Sequence, residues 1–145
     1  MPGKDKDPKT LALLDKLLEA ELSGVVRYLH YSFMIFGPNR IPITKWFRDH
    51  SLEGMQHAVK VGEKITALGG HPSLKLKPVP EPNKPNVMDI LTEGLEYEKE
   101  TLKLYYELLE SAHGDVPLEE MARGLIQDET DHVEEVEKMI RTAGK

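Results

Sequence analysis

Three of the four apolar stripes in this 145-residue chain are broken near their midpoints by a glutamate, and no other feature narrows the fold as far. Core positions on a helix recur three and four residues apart. Leu11, Leu14, Leu18, Glu21, Val25, Tyr28, Ser32 and Ile35 keep that spacing and predict a helix from about Pro8 to Phe36, stopped at Gly37-Pro38. A second stripe, Phe47, Ser51, Gly54, Ala58, Val61, Ile65 and Leu68, is flanked by Trp46, His50, Glu53 and His57. Pro42 suits its first turn, where a missing N–H costs nothing, and Gly69-Gly70 ends it. Met88, Leu91, Leu95, Glu98, Leu102, Tyr105, Leu109 and Ala112 predict a third helix from Val87 to Ala112, terminated by Gly114. The fourth is capped by Asp115, opened by Pro117, and runs through Leu118, Met121, Leu125, Glu129, His132, Val136 and Met139 to about Thr142.

The connections choose among bundle topologies. Those after the first and third helices are short and imply antiparallel neighbours. The segment from His71 to Asn86 holds five prolines and no helical period. Extended, its sixteen residues can span up to ~50 Å, the length of a long helix. The expectation is one all-α domain over residues 1–145: a four-helix bundle with a long crossover between its second and third helices, after a polar tail at residues 1–7.

Composition removes several function classes. With no cysteine, only His, Glu and Asp remain as strong metal ligands. A net charge of -6 opposes nucleic acid as a main partner, because phosphate binding draws on clustered Lys and Arg. No apolar run approaches the ~18 residues of a membrane span, and the first ten residues carry no signal-peptide core, so a cytoplasmic protein is expected.

Glu21, Glu98 and Glu129 therefore point into the core at one height, with Glu53, His57 and His132 beside them. Several unpaired carboxylates buried in one layer would each cost several kcal/mol, and bound cations are the economical compensation. Carboxylate and imidazole donors suit iron, manganese or zinc. Four glutamates and two histidines would leave two divalent ions near neutrality. The other possibility is a metal-free helical interaction protein whose inward glutamates pair with Lys or Arg. Arg27 and Lys99 each lie beside a stripe rather than on it, which opposes that possibility.

At these residues the chain resembles the bacterioferritins and the wider ferritin-like family, through EAELSGVVRYLH around Glu21, EGMQHAVKVGEKI around His57, LEYEKETLKLY around Glu98 and QDETDHVEEVE around Glu129 and His132. The resemblance implies a ferritin-like bundle holding two iron ions per subunit, with Glu21 and Glu98 as terminal ligands, Glu129 as a bridge, and His57 and His132 as nitrogen ligands. It implies a ferroxidase that oxidises iron(II) with dioxygen or hydrogen peroxide, working as a homo-oligomer, either a dimer or a larger shell. A di-manganese catalase or a peroxidase of the same class is the alternative enzyme.

Two departures qualify the likeness. The family's second-helix motif is E-x-x-H, yet Gly54 stands three residues before His57 and Glu53 four before. Glu53 reaches the metals from a rotated angle, or it faces the subunit surface and Gly54 merely permits close packing. The chain also ends barely past its fourth helix, where bacterioferritins carry a short fifth helix that helps close a cage. Met55 stands where the family's haem-ligating methionine would be, and an ordinary gap-filling methionine is the plainer reading. His50 reads as a surface histidine at the bundle flank in preference to an accessory ligand. Tyr28 and Tyr105 read equally as core tyrosines or as hydrogen-bond partners of the ligands.

Overall fold

The computed structural model describes residues 7–79 and 86–141. It contains α1 (Pro8–Phe33), α2 (Arg40–Ala67), α3 (Val87–Ser111) and α4 (Val116–Ile140), with no strand among the described residues. Polar caps start three of them. The Asp7 carboxylate accepts from the Lys9 N–H, Asn86 from Asp89, and Asp115 from Leu118, each satisfying an N–H that no preceding turn can reach. Pro42 falls in the first turn of α2, where it displaces no hydrogen bond. At the other end of α2, the Gly70 N–H donates to the Ile65 carbonyl at 2.8 Å and Gly69 to Thr66 at 2.9 Å, with Gly69 at φ 79°. That left-handed residue closes the helix at little cost only because it is glycine.

One end differs from the sequence-based expectation. α1 stops at Phe33 rather than Phe36. The reason lies in the next helix: Arg40 Nη1 donates to the Ile35 carbonyl at 2.6 Å and to that of Ser32 at 3.4 Å, taking over acceptors that a further turn would have used. α3 stops at Ser111 with Ala112 as its cap, a one-residue difference. Thr142, the expected end of α4, lies outside the described residues, as do residues 1–6 of the tail and 80–85 of the crossover.

The core consists of two apolar clusters. One gathers Leu14, Leu17, Val61, Ile65, Leu108, Leu118 and Leu125, from the start of α1, the end of α2, the end of α3 and the start of α4. The other gathers Tyr31, Ile35, Phe47, Ile90, Leu91, Val133 and Val136 from the opposite ends. Helices that share ends in this way run antiparallel in the pairs α1–α2 and α3–α4, while α2 and α3 run in the same direction. A chain leaving α2 must then travel the bundle's length to begin α3. Its described part does so along α1: the Ser73 N–H donates to Asp15 Oδ1 at 3.0 Å, and further up Ser23 Oγ donates to the Lys77 carbonyl at 3.0 Å. Between the two apolar clusters lies a polar layer.

Candidate metal centre

The layer is built from the middles of all four helices. Glu21, His57, Glu98 and Glu129 are buried, none more than 6 % exposed. Three triplets of donors form among the described residues, one of them, Glu53, His57 and Asp128, at the half-exposed rim and two in the buried layer. Glu21, His57 and Glu129 offer one ligand atom each, all within 4.8 Å of one another, and His50, Glu98 and His132 do the same beside them. Glu129 joins the two. Its Oε1 lies 3.1 Å from His57 Nδ1, and its Oε2 lies 3.7 Å from His132 Nδ1.

Both site histidines turn Nδ1 inward and Nε2 outward. His57 Nε2 lies 3.1 Å from Asp128 Oδ2 and 3.7 Å from Glu53 Oε1, and His132 Nε2 lies 2.7 Å from Glu53 Oε2. A carboxylate behind an imidazole fixes the ring and its tautomer and leaves the inner nitrogen free to bind a cation. Glu53 is thus on the outer rim, about one-third exposed, against the outward nitrogens. Tyrosines hold the remaining acids: Tyr105 donates to Glu21 Oε1 at 2.6 Å, and Tyr28 donates to Glu98 Oε1. Both tyrosines are buried core residues whose hydroxyls bond the layer's carboxylates.

Electrostatics mark the layer as strained without a cation. Burial, and then the charges of Glu98 and Glu21, push the Glu129 carboxyl well above the usual carboxylate range. Burial also raises Glu98, but the neighbouring Glu129 carboxyl and hydrogen bonds with His50 and Tyr28 outweigh it and bring that carboxyl down to about 2. In this adjoining pair Glu98 keeps the charge and Glu129 the proton. Burial lowers His57, yet Glu21, Glu53 and Asp128 together carry it upward; burial and the nearby His50 hold His132 down.

Two buried atoms of the layer, Glu129 Oε2 and His132 Nδ1, have no hydrogen-bond partner. Orphaned polar atoms of this kind cost about 1–3 kcal/mol each. An ion can serve both: atoms 3.7 Å apart can each stand about 2.1 Å from one cation. The donors also have the right chemistry, oxygen and nitrogen without sulfur, for iron, manganese or zinc. The residues present fit a bound metal.

Three readings of the sequence change. His50 is not a surface histidine: it is 6 % exposed, with Nε2 3.0 Å from Glu98 Oε1. Its seven-residue spacing to His57, two full turns along one face, was the signal for it. Asp128 was not singled out at all, and its only sequence signal is its place beside Glu129. Arg27 is buried rather than beside the core, but it serves Glu93 at 3.0 Å and the Tyr31 hydroxyl at 2.9 Å. No Lys or Arg among the described residues pairs with Glu21, Glu98 or Glu129. Gly54 is not needed for close packing, since an added Cβ would meet Val25 Cγ2 at 3.4 Å and Glu21 Oε2 at 3.7 Å, ordinary contact distances. Met55 is about half exposed.

Comparison with known proteins agrees with this geometry. A family model described as a ferritin-like domain matches residues 11–144. The bacterioferritin of Rhodobacter capsulatus is 31% identical over 137 residues, covering 92% of this chain and 84% of that protein. Its solved structure, with a metal-free dinuclear site and a haem iron in a crystallographic special position, superposes with a TM-score of 0.81 at 30% identity, covering 92% of this chain and 84% of that one. A ferritin-like, diiron-carboxylate protein from Bacillus anthracis str. Ames superposes with a TM-score of 0.89 at 26% identity, covering 95% of this chain and 99% of that one.

Proposed function

This chain belongs to the ferritin-like domain family, and from that premise we propose that it is a ferroxidase, binding iron(II) in the central layer and oxidising it with dioxygen or hydrogen peroxide. The observation that carries this reading is two donor triplets side by side in one buried layer, with Glu129 of the first 3.7 Å from His132 of the second. Iron(II) bound there as substrate would be oxidised to iron(III), two ions giving up the two electrons that, with two protons from solvent, convert dioxygen to hydrogen peroxide or hydrogen peroxide to two waters.

The protein's own contribution is positioning. Glu21, His57 and Glu129 receive one ion, while Glu98 and His132 receive the other, and Glu129 spans both. Tyr105 and Tyr28 fix the Glu21 and Glu98 carboxylates by donating to one oxygen of each. Asp128 and Glu53 hold the imidazoles from behind. Apolar clusters above and below keep bulk water from the layer, which strengthens every charge interaction inside it.

In this reading the chain is a homo-oligomer. Val26, Leu29 and Phe33 on α1, and Leu52, Met55 and Val59 on α2, are spaced three and four apart and are each at least 42 % exposed. Apolar stripes of that size on neighbouring helices suit burial against a second copy. Met55 falls within this face, where it would meet a haem between two subunits; a Soret band in wild type that vanishes in Met55→Ala tests that point. No helix among the described residues is long and apolar enough to cross a membrane.

The test is to add iron(II) without oxygen and then admit dioxygen or peroxide. Ferric absorbance should rise faster than in protein-free buffer, and Glu98→Ala should remove the acceleration. Retained manganese with oxygen release from peroxide would overturn the reading in favour of a catalase. Failure to bind any of these metals would return the protein to the class of helical interaction proteins.

A further inference from the structure

We propose that His50 is a metal ligand, completing the second ion's site with Glu98 and His132 in place of the carboxylate that Gly54 cannot supply. The proposal rests on the metal-centre reading above and refines it. On α2, Gly54 follows His50 by four residues and precedes His57 by three, so the three positions line one face. A Cβ at 54 would stand 3.7 Å from Glu21 Oε2 and 3.4 Å from Val25 Cγ2, beside the layer, and glycine leaves that position without a donor. The helix offers another donor one turn earlier. His50 is as buried as the carboxylates, and its Nε2 lies 3.0 Å from Glu98 Oε1.

The surroundings of His50 hold it in that pose. Its ring packs on Trp46, with centroids 4.7 Å apart, and edge-on against Tyr28 at 4.5 Å. The other side faces His132, with ring centroids only 3.8 Å apart. Two imidazoles pressed together over one carboxylate can use a shared cation, and the three residues keep one ligand atom each within 4.8 Å of the others. His132 has no alternative partner for its inner nitrogen, because Nε2 is taken by Glu53 and Nδ1 is buried with no hydrogen-bond partner.

The consequence is a centre of two unlike halves. One ion meets two carboxylates and one imidazole, the other meets one carboxylate and two imidazoles, with Glu129 reaching toward both. Three carboxylates leave one positive charge of two divalent ions uncompensated. The two ions should therefore bind with different affinities and not as an equivalent pair.

Cobalt(II) added to the chelated, full-length protein reads this directly, through ions bound per chain and the visible d–d spectrum. Wild type should take up two ions in two separable steps. His50→Ala should keep the first step and weaken the second by at least about tenfold. His50→Gln separates ligation from hydrogen bonding, since its amide can still donate to Glu98 but is a poor metal donor; it should lose the second step as alanine does. Placing a carboxylate where the family motif has one, Gly54→Glu in the His50→Ala chain, should restore a second ion with a shifted spectrum. Far-UV circular dichroism checks that each variant keeps its helices. If His50→Gln binds both ions as wild type does, His50 only orients Glu98 and the proposal is wrong while the metal centre stands. If wild type binds no cobalt, the metal-centre reading and this proposal fall together.

Discussion

Replacing Glu129 with glutamine should make the chelated protein more stable and, at the same stroke, remove most of its stabilisation by metal. Glu129 Oε2 and His132 Nδ1 lie 3.7 Å apart, both buried and without a hydrogen-bond partner. A glutamine amide turned toward Nδ1 becomes a donor and needs to shift by less than about 1 Å to form a hydrogen bond. That satisfies an orphan and removes an acid that burial and its neighbours penalise, a gain of about 1–3 kcal/mol. For a chain of this length it corresponds to a melting temperature higher by about 4–12 °C. Wild type, with free metal at a hundredfold excess over its dissociation constant, should gain about 2.7 kcal/mol, or about 10 °C. Glu129→Gln should lose most of that gain, because the carboxylate that joins the two triplets is gone. Thermal melts by circular dichroism, with chelator and with iron(II) under nitrogen or with cobalt(II), provide both numbers. A chelated variant that melts below wild type and is still stabilised by metal to the same extent would refute the assignment of Glu129 as the shared ligand.

Other outcomes follow from the same layer. In the chelated protein, a Glu129 carboxyl raised by burial and by Glu98 and Glu21 contributes stability below the ordinary carboxylate pKa and loses it as pH rises; Glu98, held at about 2, contributes above that range and loses it as pH falls. Above about pH 5 the Glu98 contribution is therefore constant, and denaturant titrations should show wild type losing stability relative to Glu129→Gln as pH increases. Metal uptake should expel the Glu129 proton, so the apparent binding enthalpy should vary with the ionisation enthalpy of the buffer; identical enthalpies in all buffers would contradict the protonated pair. Asp128→Asn and Glu53→Gln should each weaken metal binding about 10–100-fold by loosening the imidazole in front of them, without changing the number of ions bound. Gly54→Ala should stabilise the fold by up to about 1 kcal/mol, since the new methyl meets only ordinary contacts; a loss of stability would show that the layer is packed more tightly than these distances indicate.

Much of this architecture could be seen in the residue pattern. Glycine and proline mark the helix ends because their backbones obey local rules, and Asp115 before Pro117 caps α4 as such pairs do. Glu21, Glu98 and Glu129 stood out because an acid inside an apolar stripe is costly, and the structure brings the three together in one layer. What escaped depends on contacts distant in the chain. The early end of α1 follows from the Arg40 guanidinium reaching back to the Ser32 and Ile35 carbonyls. Arg27 is buried, stacked over Tyr97 at 4.3 Å and paired with Glu93, both from α3. His50 was hidden because α2 buries two rows: Phe47, Ser51 and Ala58 in the stripe, and His50 and His57 beside it. A single stripe read along the chain identifies the first row only. Glu53, which its four-residue spacing to His57 suggested, places its carboxylate against the outward nitrogens of both imidazoles and forms a rim group with His57 and Asp128.

The most direct test of the account is anomalous scattering from crystals of the protein loaded with iron(II) under nitrogen, measured on either side of the iron edge. Two peaks are expected inside the bundle, one bounded by Glu21, His57 and Glu129 and the other by His50, Glu98 and His132. Iron found only on the acidic outer faces, with the central layer unchanged, would contradict it.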